Sequence, residues 1–121
     1  MLKMTIVIMS LTVSYTEKTM AFNWEAHREI TRRGLIGLDI TAMREIVDGN
    51  LSVDQGKLEK QRAPHFDSES LSGGAAFIRD RLKTASDALG VCDFQRARKM
   101  FGQALHTTQD FYSHSNWVEK N

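Results

Sequence analysis

The chain has 121 residues and a mass of 13.7 kDa, enough for one domain with a modest core and too little for two. Apolar residues make up 41% and charged residues 26%, which argues against global disorder. A formal net charge of +1 removes the general electrostatic case for a nucleic-acid binder, and the single cysteine, Cys92, excludes an internal disulfide framework or a cysteine-rich zinc finger.

Residues 1–21 differ in character from the rest of the chain. Lys3, an apolar run over 5–13 (TIVIMSLTV) and the small-x-small triplet Thr19-Met20-Ala21 match a signal peptide. The run is too short to span a bilayer, which needs about 20 apolar residues. Cleavage there would make the protein secreted or periplasmic. A β-prone or disordered leader, or a start codon assigned upstream of Met20, would leave it cytoplasmic. Residues 22–121 are expected to form one helical domain.

Trp24, His27, Ile30, Leu35 and Leu38 recur at helical spacing and predict a helix over 24–38, weakened at its end by Gly34 and Gly37. Thr41 is expected to cap a short helix over 42–47, closed by Gly49-Asn50. The S-x-x-Q at Ser52 to Gln55 predicts a polar helical turn over 53–61. Residues 63–72 (APHFDSESLS) read as a loop, with Pro64 biasing Ala63 to an extended conformation. A helix over 75–89 then carries Phe77, Ile78, Leu82, Ala85, Ala88 and Leu89 on one stripe, with Gly90 just past its end. Asp93 caps the last helix, 94–112, whose stripe is Phe94, Ala97, Phe101, Ala104, Leu105 and Thr108. No period-two strand appears outside the leader, so the class is all-α.

The last helix carries His106, Asp110 and His114 at i, i+4 and i+8. Each step of four turns about 40°, so the three side chains share one face. Imidazole nitrogen and carboxylate oxygen are ordinary zinc ligands. One helix cannot surround an ion, so further ligands must come from elsewhere. His27 on the first helix, and His65, Asp67 and Asp54 in and before the Pro64 loop, are the candidates. Asp54 and Asp67 suit helix caps or turns equally well, and a lone histidine on an amphipathic helix is most often a core-edge residue with a hydrogen-bond partner.

The segments AHREITRRGL (26–35), APHFDSE (63–69) and FGQALHTTQDFYSHSNWVE (101–119) resemble the HET-C family, which includes heterokaryon-incompatibility proteins and toxin-like bacterial relatives. The same ordered set is similar to a shortened zinc-dependent phospholipase C and single-strand nuclease fold, all-α with a trinuclear zinc cluster. By that resemblance Asp54, His65, His106 and Asp110 would hold one zinc. Asp110 would bridge to a second that also takes His27, and His114 would belong to a third. The resemblance also implies an N-terminal Trp ligand, but Trp24 stands only three residues before His27. It implies a further His and Glu downstream of His114 as well, where this chain offers only Glu119. A fragment of a longer protein, or a site reduced to one or two metals, is the expectation.

The resemblance implies a metal-dependent phosphodiester hydrolase acting on a lipid or nucleotide. Zinc would lower the pKa of a bound water toward 7, and Asp54 would be the catalytic group that orients or deprotonates that water. The alternative it leaves open is a secreted recognition or toxin-like module, working through a protein partner or a membrane surface, with structural metal or none.

Overall fold

The computed structural model describes residues 22–67 and 70–114, and every regular element among them is helical. The fold class is therefore all-α. The leader, Glu69, Trp117 and Glu119 lie outside the described residues, as does the side chain of His114. Among the described residues no helix is long and apolar enough to cross a membrane.

Helix α1 spans Trp24–Gly34, and the Asn23 side chain accepts from the Ala26 N–H at 2.9 Å. It stops four residues before the expected end. The Leu35 N–H turns back to the Thr31 carbonyl, and the chain then passes through Gly37 at φ +101°, a region open to glycine. Helix α2 spans Ile40–Leu51. Its cap is Asp39 rather than Thr41, with the carboxylate accepting from the N–H groups of Thr41 and Ala42 at 3.0 Å each.

Gly49-Asn50 does not end α2. A Cβ on Gly49 would strike the backbone of Lys99, and one on Gly102 would strike the Ile46 carbonyl and the Asn50 nitrogen. Both glycines are there so that α2 and the last helix can cross with their backbones nearly touching. The chain continues through a 3-10 turn (Ser52–Asp54), the one-turn helix α3 (Gly56–Glu59) and a second 3-10 turn (Ala63–His65). The expected polar helical turn over 53–61 is thus split between the first 3-10 turn and α3.

Phe66 comes next at φ +53°, a left-handed conformation that costs a non-glycine residue energy. Its buried ring compensates: it lies over Gly74, where no Cβ would fit, and 5.3 Å from the ring of Phe111. That close approach explains why α4 spans Leu71–Gly90, starting before Ala75 and taking Gly73 and Gly74 into its first turns. Helix α5 spans Phe94–His114, capped by Asp93, whose carboxylate accepts from the Arg96 N–H at 3.1 Å.

Helix α5 is the axis of the fold: α2 and α4 both pack along it, and α1 packs on α2. The apolar core is small, built from Ile46, Val47, Val53, Phe66 and alanines such as Ala85, Ala97 and Ala104. Several residues expected on apolar stripes face solvent instead, among them Trp24, Ile30, Leu38, Leu82, Leu89, Phe94 and Thr108. On α1 the buried residues are His27 and Thr31. The side facing the other helices is polar because it serves a cluster of side chains, not an oil-like core.

The crossing of α2 and α5 yields a test. Gly102→Ala gains up to about 1 kcal/mol of helix propensity but must push the two backbones apart, and is expected to lower the unfolding free energy by about 1–3 kcal/mol. Gly34→Ala meets nothing within 4 Å and should leave stability unchanged or raise it by up to about 1 kcal/mol. Chemical denaturation of both variants checks this; equal stabilities would refute the close-approach assignment.

Candidate metal centre

Four elements deliver side chains to one point. His27 comes from α1, Asp54 from the first 3-10 turn and His65 from the second, and His106 and Asp110 stand one turn apart on α5. The Asp110 carboxylate is at the middle. Its Oδ1 is 3.2 Å from His27 Nε2. Its Oδ2 is 3.0 Å from His65 Nδ1 and 3.1 Å from His106 Nε2. Asp54 Oδ1 closes the group, 3.4 Å from His106 Nε2 and 3.8 Å from His65 Nδ1. His27, His65, His106 and Asp110 are all buried, whereas the Asp54 side chain is 38% exposed and marks the way in.

Five of the six residues that the resemblance assigned as ligands therefore converge. His114 is the last residue of α5, but its side chain lies outside the described residues. Asp67, the other carboxylate near His65, is half-buried in the turn after Phe66 and is not among the residues grouped at the centre.

Each imidazole uses its outer nitrogen on an oxygen that can only accept. His27 Nδ1 donates to Gln109 Oε1 at 2.7 Å. His65 Nε2 donates to the Leu58 carbonyl at 3.3 Å. His106 Nδ1 donates to Asn50 Oδ1 at 3.2 Å. A neutral imidazole has one N–H, so the inner nitrogen of each ring is left as a lone pair aimed at a carboxylate. Lone pair against lone pair is repulsive, and His106 Nε2 is buried without a hydrogen bond. Something positive, a proton or a cation, must stand between them.

In the metal-free centre that role falls to protons. Burial alone would lower the His106 pKa, but the carboxylates of Asp110 and Asp54 outweigh it and raise it to about 9. His65 is raised by its contact with Asp110 against the opposing effect of burial. Burial works to raise Asp110, but His106, His27 and His65 together hold it well below the usual carboxylate range. Asp54 behaves likewise, with burial overcome chiefly by His106.

The residues that sequence reasoning missed are the acceptors behind the rings. Asn50 and Gln109 are buried polar residues with no motif to announce them. The one available signal is their spacing: Gln109 adjoins Asp110, and Asn50 lies four residues before Asp54.

A family model, the VWA7 N-terminal domain, matches residues 32–121, most of the chain. Asp54, His65, His106 and Asp110 lie inside that span, and His27 lies just before it. Among curated proteins, von Willebrand factor A domain-containing protein 7 from Homo sapiens is 49% identical over 55 residues. The Rattus norvegicus and Mus musculus proteins are each 46% identical over 55 residues. Each alignment covers 46% of this chain and 6% of the relative, so the match reaches only a small part of those proteins. No solved structure matches the chain.

These findings overturn the HET-C and phospholipase C or nuclease resemblance. That resemblance rested on short segments, and a helix presents residues i and i+4 on one face whatever its ancestry. The HET-C-type phosphodiester hydrolase falls with it. So does the alternative of a HET-C-type recognition or toxin-like module.

The pH dependence of the metal-free centre is set by these shifts. A raised histidine pKa stabilises the fold fully below its ordinary value near 6.5, and that contribution disappears as pH rises through the folded value. For His106 that window runs from about 6.5 to about 9. The depressed carboxylates act oppositely, stabilising above about 3.9 and losing that contribution as pH falls. With a chelator present, the melting temperature should be highest near pH 5–6.5 and decline toward pH 10. A melting temperature that climbs from pH 6.5 to 10 would contradict the assignment.

Proposed function

The chain belongs to the VWA7 N-terminal domain family, and from that premise we propose that it is a zinc-binding helical module. Asp54, His65, His106 and Asp110 are its four ligands. The observation that carries this reading is the spacing of their donor atoms. A tetrahedral zinc with ligands at 2.0–2.1 Å separates neighbouring donors by about 3.3–3.4 Å. Four of the six separations among Asp54 Oδ1, His65 Nδ1, His106 Nε2 and Asp110 Oδ2 are 3.0, 3.1, 3.4 and 3.8 Å, around that edge length. Those four edges bring the donors within reach of one ion.

Four protein ligands fill the coordination shell of a structural zinc, whereas catalytic zinc keeps a position open for water or substrate. The module is therefore read as structural. Asp54 serves as the fourth ligand on the solvent side, not as a base. His27 completes the carboxylate by facing Asp110 Oδ1, the oxygen not used by the tetrahedron, while Ser113 Oγ donates to the same oxygen at 3.3 Å. The ion would tie α5 to both 3-10 turns, adding to the hold that buried Val53 and Pro64 already give them.

Elemental analysis of the purified chain should give about one zinc per molecule, since intact structural sites are normally filled. Free zinc at one hundred times its dissociation constant adds about 2.7 kcal/mol to the unfolding free energy, and chelation should remove it. Asp110→Asn should abolish both the zinc and the chelator effect. Less than about 0.2 zinc per chain, with no chelator effect on melting, would overturn the reading.

A further inference from the structure

Behind the imidazoles lies a second layer of side chains, all buried and all hydrogen-bonded to one another. Thr31 Oγ1 sits at its hub. Asn50 Nδ2 donates to it at 3.0 Å, and Gln109 Nε2 donates to it at 3.0 Å. Asn50 Nδ2 also donates to Gln109 Oε1 at 3.1 Å. An amide has one oxygen end and one nitrogen end. Once the Asn50 nitrogen is committed to Thr31 and Gln109, its oxygen must face His106. Once the Gln109 nitrogen is committed to Thr31, its oxygen must face His27.

The consequence reaches both rings. His27 and His106 are stacked, with centroids 4.0 Å apart and planes 20° from parallel. Each gives its Nδ1–H to an amide oxygen and turns Nε2 toward Asp110. Reversing either amide would break the Asn50–Gln109 hydrogen bond and set a nitrogen against a ring N–H. Neither ring can change its orientation or its proton position without disturbing the other.

We infer that Thr31, Asn50 and Gln109 are positioning residues. As one unit they fix His27 and His106 with Nδ1 protonated outward and Nε2 presented inward, so that a buried hydroxyl which never touches the ion sets how well the centre binds a divalent cation. The affinity consequence rests on the zinc-binding reading above; the orientation of the rings does not.

This layer differs from the usual support of a metal-binding imidazole, where a carboxylate is a common partner. Here the partners are neutral amides held by a neutral hydroxyl. Their contribution is orientation, because an amide oxygen draws the ring proton less strongly than a carboxylate does. Loss of such a partner typically weakens metal binding by about 10–100-fold. Thr31 acts through two amides at once, so its loss should fall inside that range.

The experiment uses the full chain, its Thr31→Val and Thr31→Ser variants, and zinc alone as the probe. Valine keeps the shape of threonine and removes the oxygen; serine restores the oxygen. Zinc affinity should drop by about tenfold or more in Thr31→Val and recover in Thr31→Ser. A structural defect alone would not track the oxygen in this way. The second readout needs no metal: in the ¹⁵N-labelled wild-type chain with chelator, the Nδ1 protons of His27 and His106 should be protected from solvent exchange. In Thr31→Val both should lose that protection together.

Absence of zinc binding in the wild type, with both ring protons protected and both lost in Thr31→Val, would sink the zinc-binding reading and leave the positioning unit standing. Zinc binding in the wild type with unchanged affinity and unchanged ring protons in Thr31→Val would overturn the positioning unit alone. Should Thr31→Val fail to fold, the wild-type measurement still decides. Unprotected Nδ1 protons, or Nε2 as the hydrogen-bonded nitrogen facing the amides, would refute the inference.

Discussion

A buried carboxylate that must not be left alone governs this fold. Asp110 is 1% exposed, and an ionised group at such a position is costly unless it is paired and fully hydrogen-bonded. Three histidines from three different elements converge on it. That requirement dictates where α1 lies against α5, why the chain makes two 3-10 turns between α2 and α4, and why Phe66 accepts a left-handed backbone immediately after His65. Each feature is odd for its local sequence and reasonable once the carboxylate needs a partner.

The same requirement explains the composition of the interior. The fully buried side chains of greatest volume include His27, His106, Asn50, Thr107 and Asp110, with Val53 and Pro64 the main apolar company. Large apolar residues such as Ile36 and Ile40 project into solvent instead. A core of this kind gains less from burial than an aliphatic one, at about 25 cal/mol per Å² of apolar area. It gains uniqueness of arrangement in return, because a donor must meet an acceptor at every step. The glycines at the crossing of α2 and α5 belong to this design. Only with the backbones almost in contact can Asn50 on one helix reach His106 on the other.

How much of this is legible in the sequence depends on whether the signal is local. The all-α class, the start of the first helix at Trp24 and the Asp93 cap all come from short-range chemistry. So does the pairing of His106 with Asp110, which a single helix turn guarantees. The convergence of His27, Asp54 and His65 can be suspected from residue type alone, but not the distances. The errors share a physical cause. Gly49 looks locally like a helix stop and Gly74 falls just before the expected helix start at Ala75, whereas a distant backbone or ring needs the missing Cβ. Trp24, Ile30 and Phe94 suit buried stripes by hydrophobicity, whereas polar residues occupy the buried faces. Asn50 and Gln109 escape notice because an amide carries no motif, only a partner. The HET-C resemblance fails for the complementary reason: a turn of helix bearing His and Asp is a local pattern and does not by itself identify a family.

Charge arithmetic gives the final step. Asp54 and Asp110 bring two negative charges to one point, and both are held ionised by their neighbours. Protons can balance them only by charging two of three imidazoles. Those rings lie close together, with His27 stacked on His106 at 4.0 Å and His65 edge-on to His106 at 5.3 Å. Two like charges at such distances repel one another in a medium of low dielectric constant. The one divalent ion of the proposed reading would cancel the same charge with every imidazole neutral. It would take the inward lone pairs of His65 and His106 as ligands and leave the amide contact behind His106 intact. On the zinc-binding reading, protons and a cation would compete for the one set of atoms around Asp110.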